Sequence, residues 1–252
     1  MKRLLIGAIV ALASATSAFC ADMAVKSAAV ARQACAAAQW SGFYVGINGG
    51  GALHSAYRRD ATGLLPATEN ATTSSWGGTV GGQAGYNFVN CNTFWGVEAD
   101  GAWLSNNRFV RTLPSVPNEI GGISARADGF VTLRARGGVA LDNMLFYVTG
   151  GGAALHTRTN YSHIHADNTV NEQANVNDWT WGWVAGFGAE YAFSSNLSFR
   201  SEFLYVGTAD RDYRVQSFGT ASVNRDFSQH DYLAVARVGL NYRFGAPVVA
   251  KY

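Results

Sequence analysis

Two carboxylates stand two residues apart at Glu98 and Asp100, and a pair of acids held close can serve as general acid and base. The same spacing recurs with two bases at Arg134 and Arg136, and with mixed sign at Arg200 and Glu202. Glu190, Arg237 and Arg243 stand in further apolar runs. Facing one another, these groups could line an ion path or a gate. They could equally neutralise one another as a structural core written in charges, and that is the simpler account. Every base in the set is arginine, whose planar fork grips a carboxylate through two parallel bonds; the lysines are Lys2, Lys26 and Lys251. No Ser-His-acid spacing stands out. The glycine runs 49–51 and 150–152 fall inside strand-like segments, where glycine marks close packing or a bend rather than a phosphate cradle.

The five histidines, His54, His156, His163, His165 and His230, are the candidate ligands for haem iron or a transition metal. Against this, histidine is an ordinary residue of polar loops, and no cofactor is expected.

The elements that must position these groups are strands. In 232–244 one parity reads Tyr232, Ala234, Ala236, Val238, Leu240, Tyr242 and Phe244, while the other carries Arg237, Asn241 and Arg243. Residues two apart on a strand point to one face. Apolar side chains on one face, aromatic at both ends, with polar ones opposite, are the pattern of a transmembrane barrel strand. Eight such runs are expected, at 43–54, 76–88, 93–105, 129–141, 145–157, 180–193, 197–206 and 231–244. Long polar joins (55–75, 106–128, 158–179 and 207–230) alternate with tight ones (89–92, 142–144 and 194–196). Bacterial barrels are wired this way, with short periplasmic turns and long outer loops. The fold class expected is therefore all-β, a closed eight-stranded antiparallel transmembrane barrel. The acids and arginines named above share the parity opposite the apolar face, which places them in the lumen. All five histidines fall toward the outer side, and closure of the first run on the last would bring His54 and His230 together if the register allows.

Composition agrees. Only 14% of residues are charged, against about 25% in soluble domains, and the chain has 29 glycines and 13% aromatics. Residues 1–20 read as an export signal: a basic end at Lys2 and Arg3, an apolar stretch and then small residues. Cleavage fits after Cys20 or after Ala18. The signal holds two of the nineteen basic groups and no acid, so the remainder is balanced at seventeen of each sign, which gives no reason to expect nucleic acid. Residues 21–39 read as an Ala-rich periplasmic lead-in, 40–244 as the barrel and 245–252 as a tail.

Trp40-Ser41-Gly42-Phe43-Tyr44-Val45-Gly46, Phe94-Trp95-Gly96-Val97-Glu98-Ala99-Asp100, Gly188-Ala189-Glu190-Tyr191-Ala192-Phe193 and Arg237-Val238-Gly239-Leu240-Asn241-Tyr242-Arg243-Phe244 together resemble the porin-like outer-membrane immunogenic proteins of rhizobia and brucellae. The resemblance implies a surface-exposed, often antigenic eight-stranded barrel of the outer membrane with no known chemistry. Related hemin-binding proteins occur in bartonellae. Cys35 and Cys91 depart from that pattern. Both map to the oxidising periplasmic side, where a disulfide would tie the lead-in to the barrel base; two separate thiols or a link to another chain are the alternatives. The expected function is structural and antigenic. A narrow porin or a haem or metal receptor is the alternative, and a lipid-modifying enzyme a third. Expected partners are outer-membrane lipid, lipopolysaccharide and, during insertion, the barrel-assembly machinery.

Overall fold

In β3 (Thr93–Ser105) exposed and buried residues alternate almost without a break, with Trp95, Val97 and Trp103 outside and Phe94, Glu98, Asp100, Ala102 and Leu104 inside. A strand of this kind leaves both backbone edges open. In lipid no water can satisfy them, so the edges must be paired all the way round. The computed structural model describes residues 39–60, 71–105, 108–113, 119–165, 170–217 and 225–244, and ten strands are found among them. Eight form the closed ring: β1 (Gly42–Asp60), β2 (Ala71–Asn90), β3, β5 (Glu119–Leu141), β6 (Met144–His165), β7 (Val170–Ala192), β8 (Leu197–Thr208) and β10 (Arg225–Phe244). All neighbours are antiparallel, and β1 closes on β10 in a register running from Phe43 opposite Phe244 to Asp60 opposite Phe227. Two short strands, β4 (Arg108–Leu113) and β9 (Arg211–Ser217), lie in the long connections and pair with β5 and with β10 and β7 respectively.

Much of what the sequence suggests as loop is strand. β1 runs on to Asp60, β2 starts at Ala71, β5 at Glu119 and β7 at Val170, while β6 continues to His165. Beyond the bilayer a strand has no lipid face to impose the period-two pattern, so that signal lapses while the backbone ladder continues. The joins expected to be tight are tight: two are shorter than expected, with two residues at Cys91–Asn92 and two at Asp142–Asn143, each holding one residue at positive φ, and the third spans 193–196. These turns, the β7–β8 turn, Trp40 and Phe244 share one end, which is the periplasmic end in barrels wired this way.

The wall carries two aromatic rows facing outward. Phe43, Phe88, Trp95, Tyr191, Tyr242 and Phe244 lie near the turns; Trp76, Trp103, Trp179, Trp181 and Trp183 lie near the opposite rim. Neighbouring rings touch, with Phe88 and Trp95 stacked at 4.1 Å and Phe43 and Phe244 tilted at 5.6 Å. Three layers fill the middle of the lumen. Trp40, Phe94, Ala140, Leu145, Tyr147 and Ala192 pack at the turn end. Phe130, Leu155, Val184, Leu204, Leu233 and Val235 belong to an apolar cluster toward the outer rim. The charges lie between them.

Candidate functional site

Five strands deliver the ionic layer. Two pairs are cross-strand neighbours by register, Glu98 with Arg134 and Glu202 with Arg237, and Glu190 stands opposite Arg200. The remaining contacts run along one strand, diagonally between neighbouring strands or across the lumen. Arg134 bonds Glu98, lies 3.2 Å from Asp100 through the same nitrogen, and reaches Glu202 at 3.1 Å through the other. Arg200 grips Glu98 through both η nitrogens, at 2.7 and 2.9 Å, and reaches Glu202 from Nη2 at 2.5 Å. Arg237 holds Asp100 at 2.6 Å and donates from Nε to Glu202 at 2.8 Å. Arg136 reaches Glu98 at 3.0 Å and Glu190 at 2.6 Å. Four arginines thus meet four carboxylates, and each of these side chains is at most 3% exposed. A lone desolvated charge costs several kcal/mol, which a closed set of bonded pairs offsets.

Two tyrosines complete the layer. Tyr44 Oη donates to Glu98 at 2.5 Å and Tyr147 Oη to Glu202 at 2.9 Å, while the Arg136 guanidinium lies 4.1 Å from the Tyr147 ring centre. Each ring occupies space that a facing glycine leaves open. A Cβ on Gly85 would come within 2.6 Å of Tyr44 Cζ, and one on Gly188 within 2.5 Å of Tyr147 Cζ. An amide chain extends the network: Asn48 donates to Gln83 at 2.6 Å, Gln83 to Asn241 at 2.7 Å, and Asn241 to Glu190 at 3.1 Å.

A closed barrel with a charged interior can be built by more than one lineage, so sequence comparison decides the family. The model of the outer membrane protein beta-barrel domain matches residues 23–244. The chain belongs to this family of outer-membrane barrels. A relative, the 31 kDa outer-membrane immunogenic protein of Brucella melitensis, is 30% identical over 97% of this chain and 100% of its own length. The 25 kDa outer-membrane immunogenic protein of the same species is 25% identical over 97% of this chain and 99% of its own. Among solved structures, the outer membrane protein OprG from Pseudomonas aeruginosa aligns at 13% identity and a TM-score of 0.40, covering 82% of this chain and 98% of that one.

In this outer-membrane barrel most of the charges singled out from the sequence meet in one layer. Arg243 stands apart. Its guanidinium lies 4.3 Å from the Trp40 ring centre, and Nη2 donates to the carbonyls of Ser194 and Ser195 at 3.4 Å each. Near the end of β10, it meets the carbonyls of the β7–β8 turn instead of a carboxylate. Trp40, fully buried, donates from Nε1 to the Asp142 carbonyl at 3.0 Å and so caps the lumen from the turn end.

The histidines diverge. His54 points into the lumen and lies 3.0 Å from Asp231. His230 faces outward, stacked on Tyr57 at 5.0 Å with Asp210 at 3.1 Å. The expected meeting of these two on closure does not occur, because the register sets His54 opposite Leu233 and His230 opposite Tyr57, on opposite faces of the wall. His156 faces outward on β6 beside Trp179. His163 and His165 lie at the far end of β6, with side chains outside the described residues. Among the described residues no group of three His, Cys, Asp or Glu could hold a metal ion. Cys91 is exposed in the β2–β3 turn, and Cys35 lies outside the described residues.

Tyr44, Tyr147 and Trp40 are the functional side chains that sequence reasoning missed. Around Phe43-Tyr44-Val45 both parities are apolar, so alternation assigns neither face. The signal that could have found the tyrosines is a glycine on the facing strand in the polar parity, as at Gly188.

Proposed function

We propose that this barrel is a structural protein of the outer membrane, sealed through its lumen, that presents its hairpins at the cell surface and does no chemistry. The observation that carries the reading is the layering: a neutral set of four arginines and four acids held between two apolar clusters. An ion entering from either mouth must cross an apolar cluster before it reaches this ionic layer. Each carboxylate is already bonded to arginine, so the Glu98 and Asp100 pair acts as counter-charge rather than as acid and base. The relatives' description as immunogenic outer-membrane proteins favours surface presentation here.

Planar-bilayer recording of refolded protein tests the seal. Wild type gives no stable open state, and Arg134→Ala adds little conductance because the apolar layers remain. A large, stable pore in wild type overturns the reading in favour of a porin. Lipid A from a deletion strain is unchanged in composition; an altered acyl or phosphate pattern would instead mark a lipid-modifying enzyme.

A further inference from the structure

We propose that the outer wall at β5 and β6 binds the phosphorylated headgroup of an outer-leaflet glycolipid, with Arg126 and Arg158 as phosphate ligands. This goes beyond the sealed-lumen reading and stands whether or not the lumen conducts. The register sets Arg126 directly opposite Arg158. This is a costly arrangement, since like charges directly opposite destabilise a sheet. Among the described residues Asp128 answers both: Arg126 Nε lies 2.8 Å from Oδ1 and Arg158 Nε 2.7 Å from Oδ2, with His156 Nδ1 at 3.5 Å from Oδ2. Asp128 is supplied by a bulge, for the pairing of β5 with β6 slips by one residue between Ala127 and Gly129. Such an extra residue re-aims a side chain at the rim of a barrel. One carboxylate leaves the pair of guanidiniums with a surplus positive charge, and both side chains stay nearly half exposed, at 47% and 46%.

The surroundings select the ligand. The arginines edge a cleft of about 840 Å³ on the outward face of the wall. Trp103 and Trp179 flank it, His156 lies beside Trp179, and Gly101, Gly129 and Val131 make an apolar floor. Gly129 stands between Trp103 and His156 in the register, so the missing side chain opens the cleft. The two tryptophans belong to the outer aromatic row, which in barrels sits at the membrane interface. Arg126 and Arg158 lie farther along their strands toward the rim. A ligand that fits both parts carries an anion at headgroup level and an acyl chain below it. Arginine forks match phosphate oxygens bidentately, and such charge-assisted bonds are about twice as strong as neutral ones. A free phosphate satisfies the arginines but leaves the floor empty.

Binding of purified bisphosphorylated lipid A to refolded full-length protein in detergent, read by native mass spectrometry, tests this. Wild type binds it saturably, dephosphorylated lipid A binds at least tenfold more weakly, and inorganic phosphate in large excess does not displace it. Arg126→Gln with Arg158→Gln lowers affinity at least tenfold while the folded band on a detergent gel is kept. Asp128→Asn, which removes the competing carboxylate, raises affinity several-fold; it decides the matter should the double variant fail to fold. Equal binding by the double variant, equal binding of dephosphorylated lipid A, displacement by phosphate, or no gain in Asp128→Asn would each overturn the assignment.

Discussion

Arg134 is the side chain on which the lumen turns, since it touches Glu98, Asp100 and Glu202 at once. Truncating it leaves three carboxylates short of a partner in a site that water does not reach. Arg134→Ala therefore lowers stability by about 3–5 kcal/mol, the cost of breaking a buried pair from one side. Urea unfolding of protein in lipid vesicles reads that loss, and an Arg134→Ala variant as stable as wild type would show the charges to be separately solvated. A second residue-scale prediction concerns the space that tyrosine needs. Gly85→Val pushes a branched side chain into the Tyr44 ring and costs about 1–3 kcal/mol through overpacking. The double variant Gly85→Val with Tyr44→Ala recovers part of it, measured by the same unfolding. The charged residues themselves were legible in the sequence because a basic side chain facing lipid at mid-membrane would cost about 2–4 kcal/mol. Their parity could not be arbitrary. The tyrosines were not legible, because an aromatic ring is at home on either face of this wall.

At the scale of elements, β10 is both the last strand and one side of the seam. Phe244 ends its outward row and touches Phe43 across the closure. It also resembles the terminal aromatic signal of barrels handed to the assembly machinery. Phe244→Asp lowers the amount of folded protein in the outer membrane more than deletion of residues 245–252, measured by fractionation and surface protease protection. A larger loss from the tail deletion would move the signal to Tyr252. Strand identity within the bilayer was readable throughout, and β3 was placed to the residue. The extensions of β1, β2, β5, β6, β7 and β10 were not, because a strand that has left the bilayer has no lipid face to impose the period-two pattern, and only the backbone pairing records it. Nor could the bulge at Asp128 be seen. It shifts register by one residue, and period-two reasoning carried across it assigns the wrong face to the residues on its far side.

The barrel is a ring whose eight members each hold two neighbours, so loss of any one opens two edges. Unfolding is accordingly cooperative. The unboiled protein migrates ahead of the boiled form on a detergent gel and shows a strand-dominated circular dichroism spectrum; a mainly helical spectrum would contradict the fold. The distribution of tryptophan over this ring has an optical corollary. Trp76, Trp95, Trp103, Trp179, Trp181 and Trp183 are all exposed on the outer wall, whereas Trp40 is sealed beneath the turn end. Brominated acyl chains, which quench indole emission on contact, darken the first six and spare the seventh. The residual light then reports whether the periplasmic mouth is shut, from a fluorophore the chain already carries.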